Sequence, residues 1–144
     1  MRRRLLILLA ALVAAFLLIQ LVPYRVTDPS TRAEPAWDSP RTRQLAVAAC
    51  FDCHSNETHV AMWERVAPLS WWITNHVRDG RAALNFSEWS SGHRGRADKA
   101  AEVVANGTMP PSYYTWMGMH GPASLTAAER RELAAGLRKT LGGG

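Results

Sequence analysis

Cysteine is scarce in this chain, with only two among 144 residues. Both lie in one short stretch, Cys50-Phe51-Asp52-Cys53-His54. No second pair of cysteines or histidines occurs at short spacing, which excludes the four-ligand pattern of a structural zinc site. A disulfide between the two cysteines would close too small a loop to stabilise a fold. A dithiol redox site normally follows a strand, whereas the residues before this stretch have the pattern of a helix.

Several other patterns are also missing. No run of alternating apolar and polar residues indicates a strand, so the sequence predicts an all-α fold. No Ser-His-Asp arrangement, phosphate-binding glycine loop or pair of catalytic carboxylates is found. These absences argue against an enzyme, although the sequence leaves that choice open.

The charge balance does not indicate nucleic-acid binding. The chain has 17 basic and 12 acidic side chains, a formal net charge of +5. Three of the basic residues are the arginines at positions 2 to 4, and without them the balance is 14 against 12, or +2. So small a remainder does not indicate a polyanionic partner, and we expect no nucleic-acid partner.

The stretch that holds both cysteines matches the Cys-x-x-Cys-His motif required for covalent attachment of a c-type haem. Cys50 and Cys53 can each form a thioether to one haem vinyl group, because their spacing brings both sulfurs to one porphyrin edge. The imidazole of His54 then lies beneath the iron as the proximal axial ligand. The sequence therefore predicts one covalently bound haem c.

The ligand on the other side of the iron separates electron transfer from chemistry on a bound molecule. Met109 is the first choice, because it lies in a stiff, proline-bounded loop about 55 residues after the motif. His76 is the main alternative and would give bis-histidine ligation with a lower reduction potential. A vacant position or His120 also stays open. The reserve methionines are Met62, Met117 and Met119.

Other side chains are expected around the haem. Arg81 and the nearby Arg78 either pair with haem propionates or are ordinary solvated surface charges. The chain has six tryptophans, and five are expected to wall the flat macrocycle or to anchor the core. These five are Trp63, Trp71, Trp72, Trp89 and Trp116.

Apolar spacing and end signals predict four helices. They run from Pro40 into the motif, from about 70 to 79 with a stop at Gly80, from about 94 to 105, and from Thr126 to about 140. Thr126 and Glu129 have the spacing of a capping box. The first and last of these helices are expected to cross closely through the small residues Ala48 and Ala49, as in cytochrome c domains.

The N-terminus is predicted to be a membrane anchor. Three arginines precede an apolar run from Leu5 to Val22, interrupted only by Gln20. That length is about what one helix needs to cross a bilayer, and no small-x-small cleavage site ends it. We therefore predict an uncleaved anchor over residues 1–22, with a signal peptide as the alternative. The arginines predict a cytoplasmic N-terminus and a periplasmic haem domain.

Two further regions follow the predicted anchor. Residues 23–39 are broken by prolines with polar residues between them, which predicts an extended spacer. Residues 40–141 form the predicted c-type haem-binding domain, a suitable length for one small domain around a cofactor. The predicted fold class is an all-α, cytochrome c-like haem domain after a single N-terminal transmembrane helix.

Several longer segments carry a resemblance to a known family. They are Cys50 to Thr58, Pro68-Leu69-Ser70-Trp71-Trp72, His76-Val77, Gly80-Arg81, Leu84-Asn85-Phe86-Ser87-Glu88-Trp89, Met109-Pro110-Pro111 with Tyr114, and Leu125-Thr126 with Glu129. Over roughly residues 40 to 140 the chain resembles the bacterial haem-binding domain family of single-haem c-type cytochromes. The resemblance implies a monohaem cytochrome c-like fold and carries the attachment roles onto Cys50, Cys53 and His54.

Together these patterns predict a membrane-anchored monohaem c-type cytochrome. It is expected to transfer one electron at a time on the outer face of the cytoplasmic membrane. The expected partners are the lipid bilayer and redox proteins that the sequence does not identify. The alternative function is a haem enzyme or sensor, peroxidase-like or gas-binding, with an open distal site.

Overall fold

Helices dominate the computed structural model, which describes residues 1–31, 33–91, 95–116 and 119–142. The α-helices in these ranges are α1 (Arg2–Ile19), α2 (Pro40–Ala49), α3 (Phe51–His54), α4 (Leu69–Ala83), α5 (Ala97–Ala105), α6 (Ser112–Thr115) and α7 (Ala127–Leu141). Short 3₁₀ turns cover Met62–Arg65, Trp89–Ser91 and Gly121–Ala123. The described ranges contain no strand, and an isolated parallel bridge joins Ala33 and Glu88. The all-α part of the predicted fold class is confirmed.

Helices α2 and α7 begin where local sequence signals predict. The Ser39 hydroxyl accepts a hydrogen bond from the Thr42 amide at 3.1 Å, with Pro40 in the first helical position. In α7, the Thr126 hydroxyl accepts from the Glu129 amide, and the Glu129 carboxylate accepts from the Thr126 amide. Each start satisfies amides that a helix terminus would otherwise leave unpaired.

Helices α2, α5 and α7 enclose the apolar core. Its most buried large side chains include Phe51, Phe86, Leu133 and Leu137. The expected packing of α2 on α7 is present. The two helices approach each other closely at Thr42 and Gly136, where an added Cβ on the glycine would lie within 3.0 Å of the threonine side chain. No local pattern indicates that pair, because the two residues are far apart in the chain.

Helix α4 does not stop at Gly80, so that predicted boundary is wrong. The helix continues to Ala83, and Gly80 lies inside it, against the turn that carries the motif. A Cβ on Gly80 would come within 3.0 Å of the Cys53 carbonyl oxygen. The glycine therefore serves close packing of α4 on α3 rather than helix termination.

We expect Gly80→Ala to lower the free energy of unfolding by about 2 kcal/mol, although alanine is normally about 1 kcal/mol better than glycine inside a helix. The added methyl group meets backbone, which cannot move aside like a flexible side chain. Urea denaturation measures the change. The matched control is Gly121→Ala, because nothing lies within 4 Å of a Cβ at that position. Equal stability of the two variants would contradict this packing role.

The segment expected as a spacer, residues 23–39, lies along the helical domain. Trp37 packs against Phe51 and Phe86, with ring centroids 6.3 and 5.3 Å away. The Glu34 carboxylate pairs with the guanidinium of Arg43 in α2 at 2.6 Å. Through these contacts, part of the segment packs against the apolar core.

The predicted transmembrane anchor and the single-pass membrane localisation based on it are wrong. No helix within the described residues is both long and apolar enough to cross a membrane. Helix α1 has 18 residues, of which the first three are arginines, so its apolar part is residues 5–19. Those 15 residues span about 22 Å, less than the hydrocarbon core of about 30 Å. The apolar run of the sequence continues to Val22, whereas the helix ends at Ile19.

The residue that follows α1 is hydrogen-bonded to the segment just before α4. The Gln20 side chain accepts from the Ala67 amide at 2.9 Å and donates to the Ala67 carbonyl at 3.1 Å. Four residues further, the Tyr24 hydroxyl bonds to Asn75 and accepts from Arg78, both on α4. The chain after α1 is therefore held against the domain by paired polar contacts.

Candidate functional site

A cavity of about 750 Å³ lies between α3, α4, α5 and the loop that follows α5. This size is typical of pockets for organic ligands, about 300–1,000 Å³. Most of the lining side chains are apolar, as the wall of a flat macrocycle would be; they include Ala49, Leu69, Ile73, Val77, Ala100, Val103, Val104, Pro110, Pro111 and Leu137. The motif residues Cys50, Cys53 and His54 line the same cavity, together with Met109.

Helix α3 presents the three motif residues on a single turn. The amides of Cys53 and His54 both donate to the Cys50 carbonyl, at 3.2 and 2.9 Å. Phe51 faces the opposite way, into the core, where it stacks on Phe86 with ring centroids 5.7 Å apart. Core packing of Phe51 therefore turns the two cysteines and the histidine toward the cavity.

The ring of His54 is oriented by the backbone of the segment after α4. Its Nδ1 lies 3.0 Å from the Leu84 carbonyl oxygen. A carbonyl can only accept, so Nδ1 carries the proton and Nε2 keeps its lone pair. Burial lowers the pKa of His54, which favours the neutral ring. A neutral imidazole whose Nδ1 is held by a backbone carbonyl has the orientation that metal-ligating histidines usually have.

Both cysteine thiols are free and resist ionisation. Burial raises the pKa of Cys50 to about 12. Burial, followed by the neighbouring carboxylates of Asp52 and Glu64, raises the pKa of Cys53 to about 11. Redox-active dithiols work as thiolates and need a lowered pKa. The site is therefore poorly suited to thiol–disulfide exchange.

A buried polar network fixes the chain just after the motif. The Asn85 side-chain amide donates to the side-chain Oδ1 of Asn56 at 2.9 Å, and the Asn56 backbone amide donates to the Ser87 hydroxyl at 2.9 Å. The Phe86 amide donates to the carbonyl of His54 itself at 2.8 Å. Residues 84–87 therefore position the turn that carries the motif. The sequence alone suggested no chemistry for them.

Met109 is half-buried, and its backbone is held on both sides. Its amide donates to the Val103 carbonyl at 3.0 Å. Its own carbonyl accepts from the Arg130 guanidinium at 2.9 Å, and the same Arg130 nitrogen donates to Val104 at 3.1 Å. Helices α5 and α7 therefore fix the start of the loop that presents the thioether to the cavity.

The rival ligands are placed differently. His76 lines the cavity, with Nδ1 bonded to the Trp72 carbonyl at 3.0 Å and its ring 4.0 Å from the Trp72 ring. His120 also lines the cavity, but its Nε2 lies 3.2 Å from the Glu64 carboxylate. Met119 is part of the wall, whereas Met62 is 85% exposed and is not. Met117 falls outside the described residues.

The structure does not bring Arg81 to the cavity. Its guanidinium donates to the carbonyls of Ser55 and Thr27, to the Asp28 carboxylate and to the Thr58 hydroxyl. Arg78 donates to Tyr24, away from the cavity wall. Arg96 and Lys99, by contrast, do line the cavity.

Five tryptophans were expected around the haem or in the core, and two of them, Trp63 and Trp72, line the cavity. Trp89 packs against the core, and Trp116 is 64% exposed. Trp37, which the sequence did not single out, packs on the core as described above. The tryptophans are thus divided between cavity wall, core and surface.

The donor set fits a haem better than a bare metal ion. Two cysteines, one histidine and one methionine line a largely apolar cavity. Within the described ranges no group of three or more His, Cys, Asp or Glu side chains is arranged to hold a metal ion. The residues therefore suit an iron whose equatorial ligands come from an organic ring.

Comparison with known proteins agrees with a haem as the ligand of this cavity. A model of the family described as "haem-binding domain" matches residues 14–139. The match begins inside α1 and includes every residue of the cavity wall. No curated protein and no solved structure matches the chain.

Proposed function

The chain belongs to the haem-binding domain family, and from this premise we propose that it is a monohaem c-type cytochrome that transfers single electrons. One observation carries the proposal: Cys50, Cys53, His54 and Met109, which span 60 positions of sequence, line one apolar cavity. The family model supports haem binding as such. Covalent attachment, a single haem and the electron-transfer role are the proposed parts.

Attachment needs only the chemistry of the two thiols. Each S–H of Cys50 and Cys53 adds across one vinyl double bond, so a C–S bond forms, the hydrogen goes to the neighbouring carbon, and no oxidant is required. His54, held through Nδ1 by Leu84, offers Nε2 to the iron on one side. Met109 would supply its thioether sulfur as a second ligand to that iron. The bound haem supplies an iron that cycles between the ferric and ferrous states.

Two fixed ligands favour electron transfer over catalysis. His54 is held by the Leu84 carbonyl, and the backbone of Met109 is held by Val103 and Arg130. Because both ligand-bearing segments are tied to helices, little needs to move when the iron changes charge. An enzyme must instead leave or free an iron position for its substrate. The proposed partners are proteins that donate and accept single electrons.

One observation favours the second candidate function, a haem enzyme or sensor. The buried Glu64 carboxylate pairs with His120 at the cavity wall. A histidine with a carboxylate partner is a common proton donor or acceptor in catalysis. If Met109 leaves the iron open, this pair is positioned to assist chemistry on a bound peroxide or gas.

Spectroscopy of the haem-loaded protein separates the two functions. For the electron carrier we expect a far-red sulfur-to-iron band in the oxidised protein, and no binding of carbon monoxide by the reduced protein. Rapid carbon monoxide binding, with no such band, would reject the carrier and favour the enzyme or sensor. The protein is produced together with a cytochrome c maturation system, so that attachment itself is not limiting.

A further inference from the structure

We propose that Tyr114 and His120 fasten the methionine loop, residues 109–116 and 119–120, to the attachment segment, residues 52–64, and so position Met109 at the iron. The inference rests on the proposed function, because it concerns the same cavity and the same axial ligand. Tyr114 and His120 are positioning residues here, since neither is proposed as an iron ligand. Two parallel arrangements of side chains carry the inference.

The first fastening joins Tyr114 to Asp52, a residue inside the Cys-x-x-Cys-His motif. The Tyr114 hydroxyl donates a hydrogen bond to Asp52 Oδ2. The other oxygen, Oδ1, accepts from the His59 backbone amide at 2.9 Å, which fixes the orientation of the carboxylate. The turn that carries the cysteines is thus directly bonded to a residue five positions after Met109.

The second fastening joins His120 to Glu64 in the same manner. His120 Nε2 lies 3.2 Å from Glu64 Oε1, and both side chains are buried or nearly so, at 15% and 7% exposure. The other oxygen, Oε2, accepts from the Ala61 amide at 2.7 Å. Each carboxylate is therefore oriented by one backbone amide of residues 59–61 and receives one side chain from the methionine loop.

The two fastenings also contact each other. The rings of Tyr114 and His120 are stacked, with centroids 3.9 Å apart and planes at 11°. Burial, and then Asp52 as acceptor, strongly raises the pKa of Tyr114, which keeps its hydroxyl protonated as a donor. Because charge-assisted hydrogen bonds of this kind are about twice as strong as neutral ones, they are suited to holding a loop in place.

The loop is consequently held at both ends. Val103 and Arg130 fix the backbone of Met109, and the two fastenings fix the later part of the loop to the attachment segment. Asp52 lies two positions from His54. The hydrogen bond from Tyr114 to Asp52 therefore joins the turn that carries His54 to the loop that carries Met109. We infer that this bond limits how far the thioether can move from the iron.

Tyr114→Phe tests the proposal, because it removes only the hydroxyl and keeps the stacked ring. Hydrogen–deuterium exchange of amides 112–116 is measured in the haem-loaded protein. We expect exchange about tenfold faster than in the unmodified protein. The matched control is Tyr113→Phe: the Tyr113 ring packs on Trp72 and His76, and its hydroxyl makes none of the fastening contacts. Its exchange should stay within about twofold.

A spectroscopic readout separates positioning of the ligand from simple loop stability. In Tyr114→Phe we expect a weaker far-red sulfur-to-iron band and faster carbon monoxide binding to the reduced protein, with Tyr113→Phe unchanged. His120→Phe, which keeps a stacked ring and removes the bond to Glu64, should act in the same direction. It also provides a second test if Tyr114→Phe does not fold.

Failure of this proposal differs from failure of the proposed function. Unchanged exchange in both Tyr114→Phe and His120→Phe overturns the fastening, whatever the spectrum shows. Faster exchange with an unaltered band overturns the positioning of Met109. A missing band in the unmodified protein rejects Met109 as ligand, and with it the positioning role.

Discussion

Replacing both Cys50 and Cys53 with serine is expected to abolish covalent haem. A hydroxyl is far less reactive than a thiol toward the vinyl groups, so no thioether forms. On a denaturing gel the unmodified protein should keep its haem-dependent peroxidase stain at the position of the polypeptide. The double variant should lose essentially all of that stain, the largest change expected for any substitution in the chain.

The single variants are the matched controls for the double variant. Cys50→Ser and Cys53→Ser each keep one thiol on the α3 turn, so each should retain a reduced but visible stain. Reversed-phase mass measurement should show the polypeptide plus one haem in the unmodified protein. Haem that runs at the dye front from the unmodified protein would show that binding is not covalent. It would leave family membership intact and reject the c-type assignment.

Replacing Met109 with alanine is expected to open the iron. Without the thioether the far-red band of the oxidised protein should disappear, and the reduced protein should bind carbon monoxide. The reduction potential should fall by on the order of 100 mV, because a thioether ligand stabilises the ferrous state relative to water or hydroxide. Redox titration and carbon monoxide difference spectra measure these effects.

Two variants at the same cavity serve as controls for Met109→Ala. Met119 also lines the cavity, but it lies on the later part of the loop, so Met119→Ala should keep the band and the closed iron. His76→Ala should do the same. If His76→Ala rather than Met109→Ala opens the iron, ligation is bis-histidine. Electron transfer would then stand, with a different second ligand and a lower potential.

Signals confined to a few neighbouring residues were reliable in this chain. Ser39 with Pro40, and Thr126 with Glu129, correctly predicted where two helices begin, because a cap is completed within one helical turn. The attachment motif is equally local. Its two thiols and imidazole share one turn because their spacing in sequence leaves few other arrangements.

Signals that depend on what an element packs against were less reliable. Gly80 has the pattern of a helix stop, but it lies inside α4. Its lack of a Cβ makes room for the Cys53 backbone. The N-terminal apolar run is a second case, because composition alone does not show that the helix ends at Ile19 and that Gln20 bonds to Ala67.

The sequence by itself therefore determined the cofactor class and the proximal half of the proposed site. Tertiary structure alone decided what surrounds it: Leu84 orients His54 from 30 positions away, and Asp52 meets Tyr114 across 62 positions. It also turned Arg81 away from the cavity and brought Met109 to it. The physical reason is that a side chain's direction is set locally by its helix or turn, whereas its partner is set by how whole helices pack.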